Sequence, residues 1–406
     1  MTQKSVLIVG AGHAGFQVAA SLRQHGFAER ICLINDEAHL PYQRPPLSKA
    51  YLKGEGKPDS LMFRPDKFYR DQTIELIADR AAFIDRAAQR LVLASGAFLD
   101  YGHLVLATGA RNRLLDLPNA NLPDVKYLRI LDESEVLRQR IASAKHVAVI
   151  GAGFIGLEFA ATARIKGLEV DVIELGSRVM ARAVTAEISE YFQERHASAG
   201  IRIHLGVQAT SIESANGKLA GISLSNGHHV PADLVVVGVG VLPNVEIAAE
   251  AGLPVASGII VNEHLLTADP NISAIGDCAL FESPRFGGSL RLESVQNATD
   301  QARCVAARLT GDAKVYDGLP WFWSDQGDDK LQIAGLTTGY DQVVVRGDRE
   351  KRSFSAFCYK QGQLVGIESV NRAADHVFGR KILGMNRSIE AEKAADPGFD
   401  LKSALA

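Results

Sequence analysis

The chain has 406 residues, 47% of them hydrophobic, which is too long for one ordinary core and ample for two or three domains. A formal net charge of −3 excludes the basic excess that a nucleic-acid binder gathers on one face, so no nucleic-acid partner is expected. No apolar run reaches the roughly 18 residues that a membrane-spanning helix needs, and the apolar N-terminal run is short, broken by glycine and without a cleavage pattern, so a cytoplasmic protein with no membrane partner is expected. Cys32, Cys278, Cys304 and Cys358 are too scattered for a metal knuckle or a local dithiol, and no metal site is expected.

From Val6 to Leu22 the chain reads VLIVGAGHAGFQVAASL, a buried strand, a glycine turn and a helix start. Gly10 permits the turn, Gly12 lets the backbone approach a pyrophosphate, and Gly15 lets the helix lie close on the strand; this is the pattern of a dinucleotide site. RICLIN follows as a second buried strand, and Asp36 stands about where an acid binds the adenosine ribose, or else merely ends the strand. In HLPYQRPPLSKAYLKG the prolines Pro41, Pro45 and Pro46 rigidify a loop, Ser48 or Lys49 is expected to open a short helix, and Lys49 is read as facing the cofactor rather than solvent. The runs AAFID, RLVLAS and AFLDYGHLVLATGA form a meander and a return strand ending at Thr108 and Gly109, a close-approach turn at the cofactor or simply a packed strand end.

A linker-like run, RNRLLDLPNANLPDV, leads to a second copy of the pattern, HVAVIGAGFIGLEFAATAR, with Gly151, Gly153 and Gly156 at the same spacing. Two such turns imply two dinucleotides. The second strand of this copy ends at Glu174, whose carboxylate would bond a ribose and repel a 2′-phosphate, so NAD is expected over NADP; Arg178 and Arg182 nearby keep the phosphate alternative open. A second meander follows, and the chain then returns through a strand carrying Asp277 in an AIGD turn, an acid suited to a ribitol chain. From Trp321 onward, alternating strands and a closing helical region predict a small antiparallel domain without a nucleotide pattern, serving an interface or oligomerisation.

The two glycine patterns, RPPLSK, ATG, AIGD and PWFWSDQ in this order resemble the NADH-dependent ferredoxin reductases of the putidaredoxin reductase family along essentially the whole chain. The resemblance implies a glutathione-reductase-like α/β flavoprotein: two Rossmann-like domains, with FAD on residues 1–111 and 243–319, NAD on 112–242, and a small α+β domain over 320–406. It also implies the FAD contacts, with Ala14 in the first turn, Asp36 at the ribose, Lys49 by the flavin ring, Ala82 at adenine, Arg129 near the phosphates, Asp277 at ribitol and Val295 at the pyrimidine; for NAD it implies Gly151, Gly153, Gly156, Glu174 and Arg182. Lys49 and Glu158, from different domains, are expected to meet at the reacting edge.

The implied activity passes electrons from NADH through FAD, one at a time, to a two-iron ferredoxin serving a haem-thiolate monooxygenase, with the protein a monomer or weak dimer. The thiol-free RPPLSK loop speaks against an NADH oxidase or disulfide reductase, and an apoptosis-inducing-factor-like redox sensor is the alternative from another class. Trp321 and Trp323, two apart, are expected on one face, either as core or toward the partner. Arg291, Arg303, Arg372, Arg380, Lys381 and Arg387 are read as a basic face for an acidic ferredoxin.

Overall fold

The computed structural model describes residues 5–405, and the chain's contacts divide into two compact units. The first holds the residues up to Arg44, Pro58–Arg111 and Val241–Pro320; the second holds Pro45–Lys57, Asn112–Gly240 and the stretch from Trp321 onward. Lys49 therefore shares a unit with the second glycine pattern, rather than with the first.

The first unit is built on a five-stranded parallel sheet ordered Ile272–Ala274, His103–Leu106, Val6–Val9, Ile31–Asn35 and Ile74–Ala78. The Val6–Val9 strand is buried throughout, as a strand covered on both faces must be, which is why it reads as continuous VLIV rather than an alternation. The helices His13–Gln24 and Val295–Leu309 pack along one another. The unit also holds an antiparallel meander of Ala81–Asp85, Arg90–Leu93 and Phe98–Asp100, with a register shift around Ala82, and a three-stranded sheet of Ile259–Val261, Ala279–Glu282 and Ser289–Leu290.

The second unit repeats this plan. Its parallel sheet runs Arg202–Leu205, Glu169–Glu174, His146–Ile150, Leu234–Val237 and Val125–Tyr127, and its meander is Ala209–Ala215, Lys218–Leu224 and His229–Pro231. The C-terminal stretch adds a five-stranded antiparallel sheet, ordered Trp321–Gln326, Asp329–Gly335, Gln363–Val370, Ser353–Lys360 and Gln342–Asp348, followed by the helix Ala373–Gly384. Among the described residues no helix is long and apolar enough to cross a membrane.

Two local expectations change. The short helix lies at Pro45–Ser48, as a 3-10 turn that ends rather than opens at Ser48, and the turns after it run into Gly54 and Gly56, whose φ of +90° and +100° end the run. Asp277 sits not on a strand but in the 3-10 turn Gly276–Cys278, between Ile272–Ala274 and Ala279–Glu282.

Candidate functional site

Both glycine turns are shaped by backbone contacts that only glycine allows. Gly10 and Gly151 share a φ of +102°, and a Cβ on either would collide with a carbonyl oxygen of the neighbouring strand's exit, Ala107 and Gly238 respectively. The helices that follow begin at Gly12 and Gly153, which have no side chain with which to cap the first turn. Among the described residues outside the local chain, none comes within 4 Å of where a Cβ on Gly153 would stand, and only the Arg44 guanidinium, at 3.9 Å, approaches that position at Gly12. Uncapped amides, a clear approach and the helix dipole fit a dinucleotide pyrophosphate in both units.

In the first unit several of the expected cofactor residues lie near this turn. Ala14 packs 3.3 Å from the Cβ position of Gly276, which brings the Asp277 turn to the first helix. Thr108 and Asn244 lock the ATG turn reciprocally: Thr108 Oγ1 donates to the Asn244 carbonyl at 2.7 Å, and Asn244 Nδ2 donates to the Thr108 carbonyl at 2.8 Å. Gly109 accepts from the Asn244 N–H at 2.9 Å. Val295 opens the helix Val295–Leu309, capped by Ser294, and Ala298 of that helix also faces Gly276. Asp36 is exposed just past the Ile31–Asn35 strand, and Ala82 is exposed at the irregular point of the meander.

Arg44 is the residue that the motif reading passed over. Its guanidinium donates to Glu37 and to the Tyr42 hydroxyl, and the Tyr42 hydroxyl donates to Glu37, so the cation is held in place beside Gly12. Burial works against its charge, but the fields of Tyr42, Glu37 and Asp277 and the bond to Glu37 outweigh that and raise its pKa. The signal was present in RPPLSK, where Arg44 stands directly before the proline pair.

In the second unit Glu174 accepts from the Ala152 and Gly176 amides, both at 2.7 Å. Arg178 is committed to its own loop, donating to the carbonyls of Ala181, Val184 and Thr185 at 2.8, 2.9 and 3.3 Å. Arg182 comes within 3.9 Å of the Cβ position of Gly240. Arg129 precedes the helix Leu131–Ile141, its amide donating to Glu133 at 2.6 Å.

Gly156 packs the Phe154–Ile165 helix onto its strand, and that helix carries Glu158, only 3% exposed. Lys49 Nζ donates to Glu158 Oε2 at 2.7 Å, so the expected pair is formed. Two hydroxyls complete the carboxylate: Ser48 donates to Oε2 at 2.5 Å and Ser324 to Oε1 at 2.6 Å. Neither serine was legible as a site residue, since only the fold brings the 3-10 turn, the helix and the WFWSDQ strand to one point.

The thiols are not activated. All four cysteines are free; burial pushes Cys32 up to about 12 and raises Cys278, Cys304 and Cys358 as well. Trp321 and Trp323 do share a face, with ring centroids 5.7 Å apart, and both are half-buried rather than core. The basic face needs correction: Arg291 pairs with Glu293 at 2.5 Å, Arg303 with Asp300 at 2.9 Å and Arg372 with Asp375 at 2.5 Å, so their charges are compensated locally. Arg380 lies over the Trp321 ring at 4.3 Å, and Lys381 is exposed.

Two dinucleotide folds in tandem, with a lysine–glutamate pair next to the second, define a pyridine-nucleotide oxidoreductase. The chain belongs to the pyridine nucleotide-disulphide oxidoreductase family, whose model matches residues 4–302, and residues 321–405 match the reductase C-terminal family. It is a flavoprotein reductase of the putidaredoxin reductase type, using FAD and NAD. It is 51% identical to rhodocoxin reductase of Rhodococcus erythropolis over 403 residues, covering 99% of this chain and 94% of that one. Among solved structures it is 72% identical to the ferredoxin reductase for the CYP199A2 system from Rhodopseudomonas palustris, with a TM-score of 0.98 over 99% of this chain and 100% of that one. The putidaredoxin reductase of the covalent reductase–putidaredoxin complex is 37% identical, with a TM-score of 0.97 over 100% and 99% of the two chains.

Proposed function

We propose that this chain is an NADH-dependent ferredoxin reductase of a cytochrome P450 monooxygenase system, reducing an acidic two-iron ferredoxin. The observation that carries this is the whole-chain likeness, at 72% identity, to a reductase that serves such a system. Bound FAD would supply the chemistry, accepting a hydride equivalent from NADH and passing its electrons on singly.

The chain's own residues supply binding and electrostatics. The amides after Gly12 and Gly153 hold the two pyrophosphates, and Arg44 adds a fixed cation at the first. Asp36, Ala82, Thr108, Gly109, Arg129, Asp277 and Val295 are proposed to complete FAD binding, and Glu174 with Arg182 that of NAD. Lys49 would supply an ammonium to stabilise negative charge building on the reduced flavin, and Glu158 holds that ammonium in one position. The unactivated thiols support an exit through single electrons rather than through a disulfide. We also propose the domain boundaries 1–111 with 243–319, 112–242 and 320–406, and a cytoplasmic location. The test is steady-state reduction of a purified two-iron ferredoxin by NADH: a fast, saturable rate is expected, and negligible turnover beside a stable NADH complex would point to a sensor.

A further inference from the structure

The strand Trp321–Gln326 belongs to the C-terminal sheet, yet its alternate residues Ser324 and Gln326 are almost fully buried, at 0% and 4% exposure, and both enter the polar surroundings of Glu158. Phe322, on the same face, packs its ring 4.6 Å from that of Phe154, the first residue of the helix that carries Glu158. Two-residue alternation thus gives one short segment two jobs. Trp321 and Trp323 face one way, and Phe322, Ser324 and Gln326 face the nucleotide fold.

From Ser324 a chain of contacts runs back to the second glycine turn. Gln326 Nε2 donates to Ser324 Oγ at 3.3 Å and to the Met180 sulfur at 3.3 Å. Gln326 Oε1 contacts His196 Nε2 at 2.8 Å; since the amide oxygen can only accept, the imidazole holds its proton on Nε2 there. Met180, in a left-handed conformation with φ of +50°, donates its amide to the Ala152 carbonyl at 2.9 Å, and Ala152 lies between Gly151 and Gly153. Every member of this chain is buried. Its orientation is fixed from both ends, by the imidazole at one and by the glycine turn at the other.

We propose that Ser324, oriented by Gln326, is a positioning residue for hydride transfer: it fixes the Glu158 carboxylate, and through it Lys49, so that the C-terminal domain helps to build the reductive site as well as any partner surface. This rests on the proposed role of the Lys49–Glu158 pair. A carboxylate with one oxygen held by Ser48 and Lys49 and the other by Ser324 cannot rotate; without Ser324, Oε1 loses its only hydroxyl donor among the described residues, and the ammonium loses its fixed position.

The test uses the FAD-loaded full chain as Ser324→Ala, Glu158→Gln and the double variant. Stopped-flow flavin reduction by NADH gives the limiting rate and the NADH dissociation constant, and the flavin midpoint potential is measured separately. Ser324→Ala is expected to lower the limiting rate about tenfold, with nucleotide affinity and FAD content close to wild type and only a modest loss of melting temperature, and to shift the potential to more negative values. In the Glu158→Gln background the same replacement should have little further effect, because the group that it positions is already altered. If Glu158→Gln slows reduction while Ser324→Ala leaves rate and potential unchanged, or if the two effects simply multiply, the positioning role is overturned and the pair's role stands. If Glu158→Gln itself reduces at the wild-type rate, the role of the pair falls and the positioning role with it.

Discussion

The carboxylate of Glu174 accepts the backbone N–H of Ala152 at 2.7 Å, so the acid that ends one strand is tied to the glycine turn that ends its neighbour. The strand-end acid and the glycine turn are therefore coupled by a direct hydrogen bond. In the proposed NAD site Glu174 takes the ribose hydroxyls, and Arg178, the nearest cation in sequence, is occupied by three carbonyls of its own loop. A 2′-phosphate would meet a carboxylate and no available Arg178. NADH should be preferred over NADPH by about 2 kcal/mol or more in kcat/KM. Glu174→Ala should remove most of that preference and also weaken NADH binding, since the turn loses its tie. Wild-type kcat/KM values that are equal for the two nucleotides would refute the assignment.

Cysteine-free catalysis follows from the raised thiol pKa values. At neutral pH all four cysteines are protonated and poor nucleophiles, with Cys32, Cys278 and Cys358 buried. Replacement of each by Ala or Ser should leave NADH-to-ferricyanide turnover within about twofold of wild type, with losses confined to stability, roughly 1 kcal/mol at the buried positions. A folded, FAD-containing variant that has lost turnover would reveal a thiol mechanism.

Stability should depend on Glu368. This carboxyl, on the strand Gln363–Val370, is fully buried and receives the Thr185 N–H at 3.0 Å and the Thr185 hydroxyl at 2.7 Å, where the helix Ala186–Ser198 begins. Burial raises its pKa from 4.5 to about 7 despite those donors. Between those values the folded state binds a proton that the unfolded state has released. The group's contribution is thus complete below pH 4.5 and is lost as pH rises through 7, by about 3 kcal/mol. Glu368→Gln, which keeps an acceptor for Thr185, should match wild type near pH 5 and be more stable at pH 8. His103 and His196, buried with lowered pKa values, act in the opposite direction as pH falls below 6.5, so the difference between variant and wild type is the quantity to follow by thermal melts. Parallel melting curves for the two proteins across this range would show that Glu368 is not the titrating group.

Ferredoxin affinity should fall with salt, as in small steered electron-transfer complexes, while turnover with ferricyanide changes little. Lys381 is the exposed cation of the helix Ala373–Gly384, and Lys381→Glu should mimic high salt by raising KM for ferredoxin several-fold at low ionic strength. An unchanged KM would remove this helix from the docking surface.

What the sequence displayed was the backbone of the function. VLIVGAG and HVAVIGAG announce their turns because the constraint is local: a φ of +102° and a carbonyl at the Cβ position leave only glycine. The Trp321 and Trp323 alternation was legible for the same reason. What stayed hidden was pairing across the chain. Ser324 is as unremarkable in sequence as any serine, and only sheet and helix packing bring it to Glu158. The basic face is a different case, because Asp300 and Asp375 stand three residues from Arg303 and Arg372, a helical spacing at which opposite charges meet, and counting the cations alone overlooked their neighbours.

The most direct measurement is anaerobic: FAD-loaded protein, NADH and a purified two-iron ferredoxin, with loss of the ferredoxin's visible absorbance followed against NADH consumed. Each NADH carries an electron pair and each ferredoxin accepts one electron, so the predicted result is rapid, saturable bleaching with a pair of ferredoxins reduced for every NADH. NADH oxidised without reduction of the ferredoxin, or a purified protein that takes up no flavin, would contradict the assignment as a ferredoxin reductase.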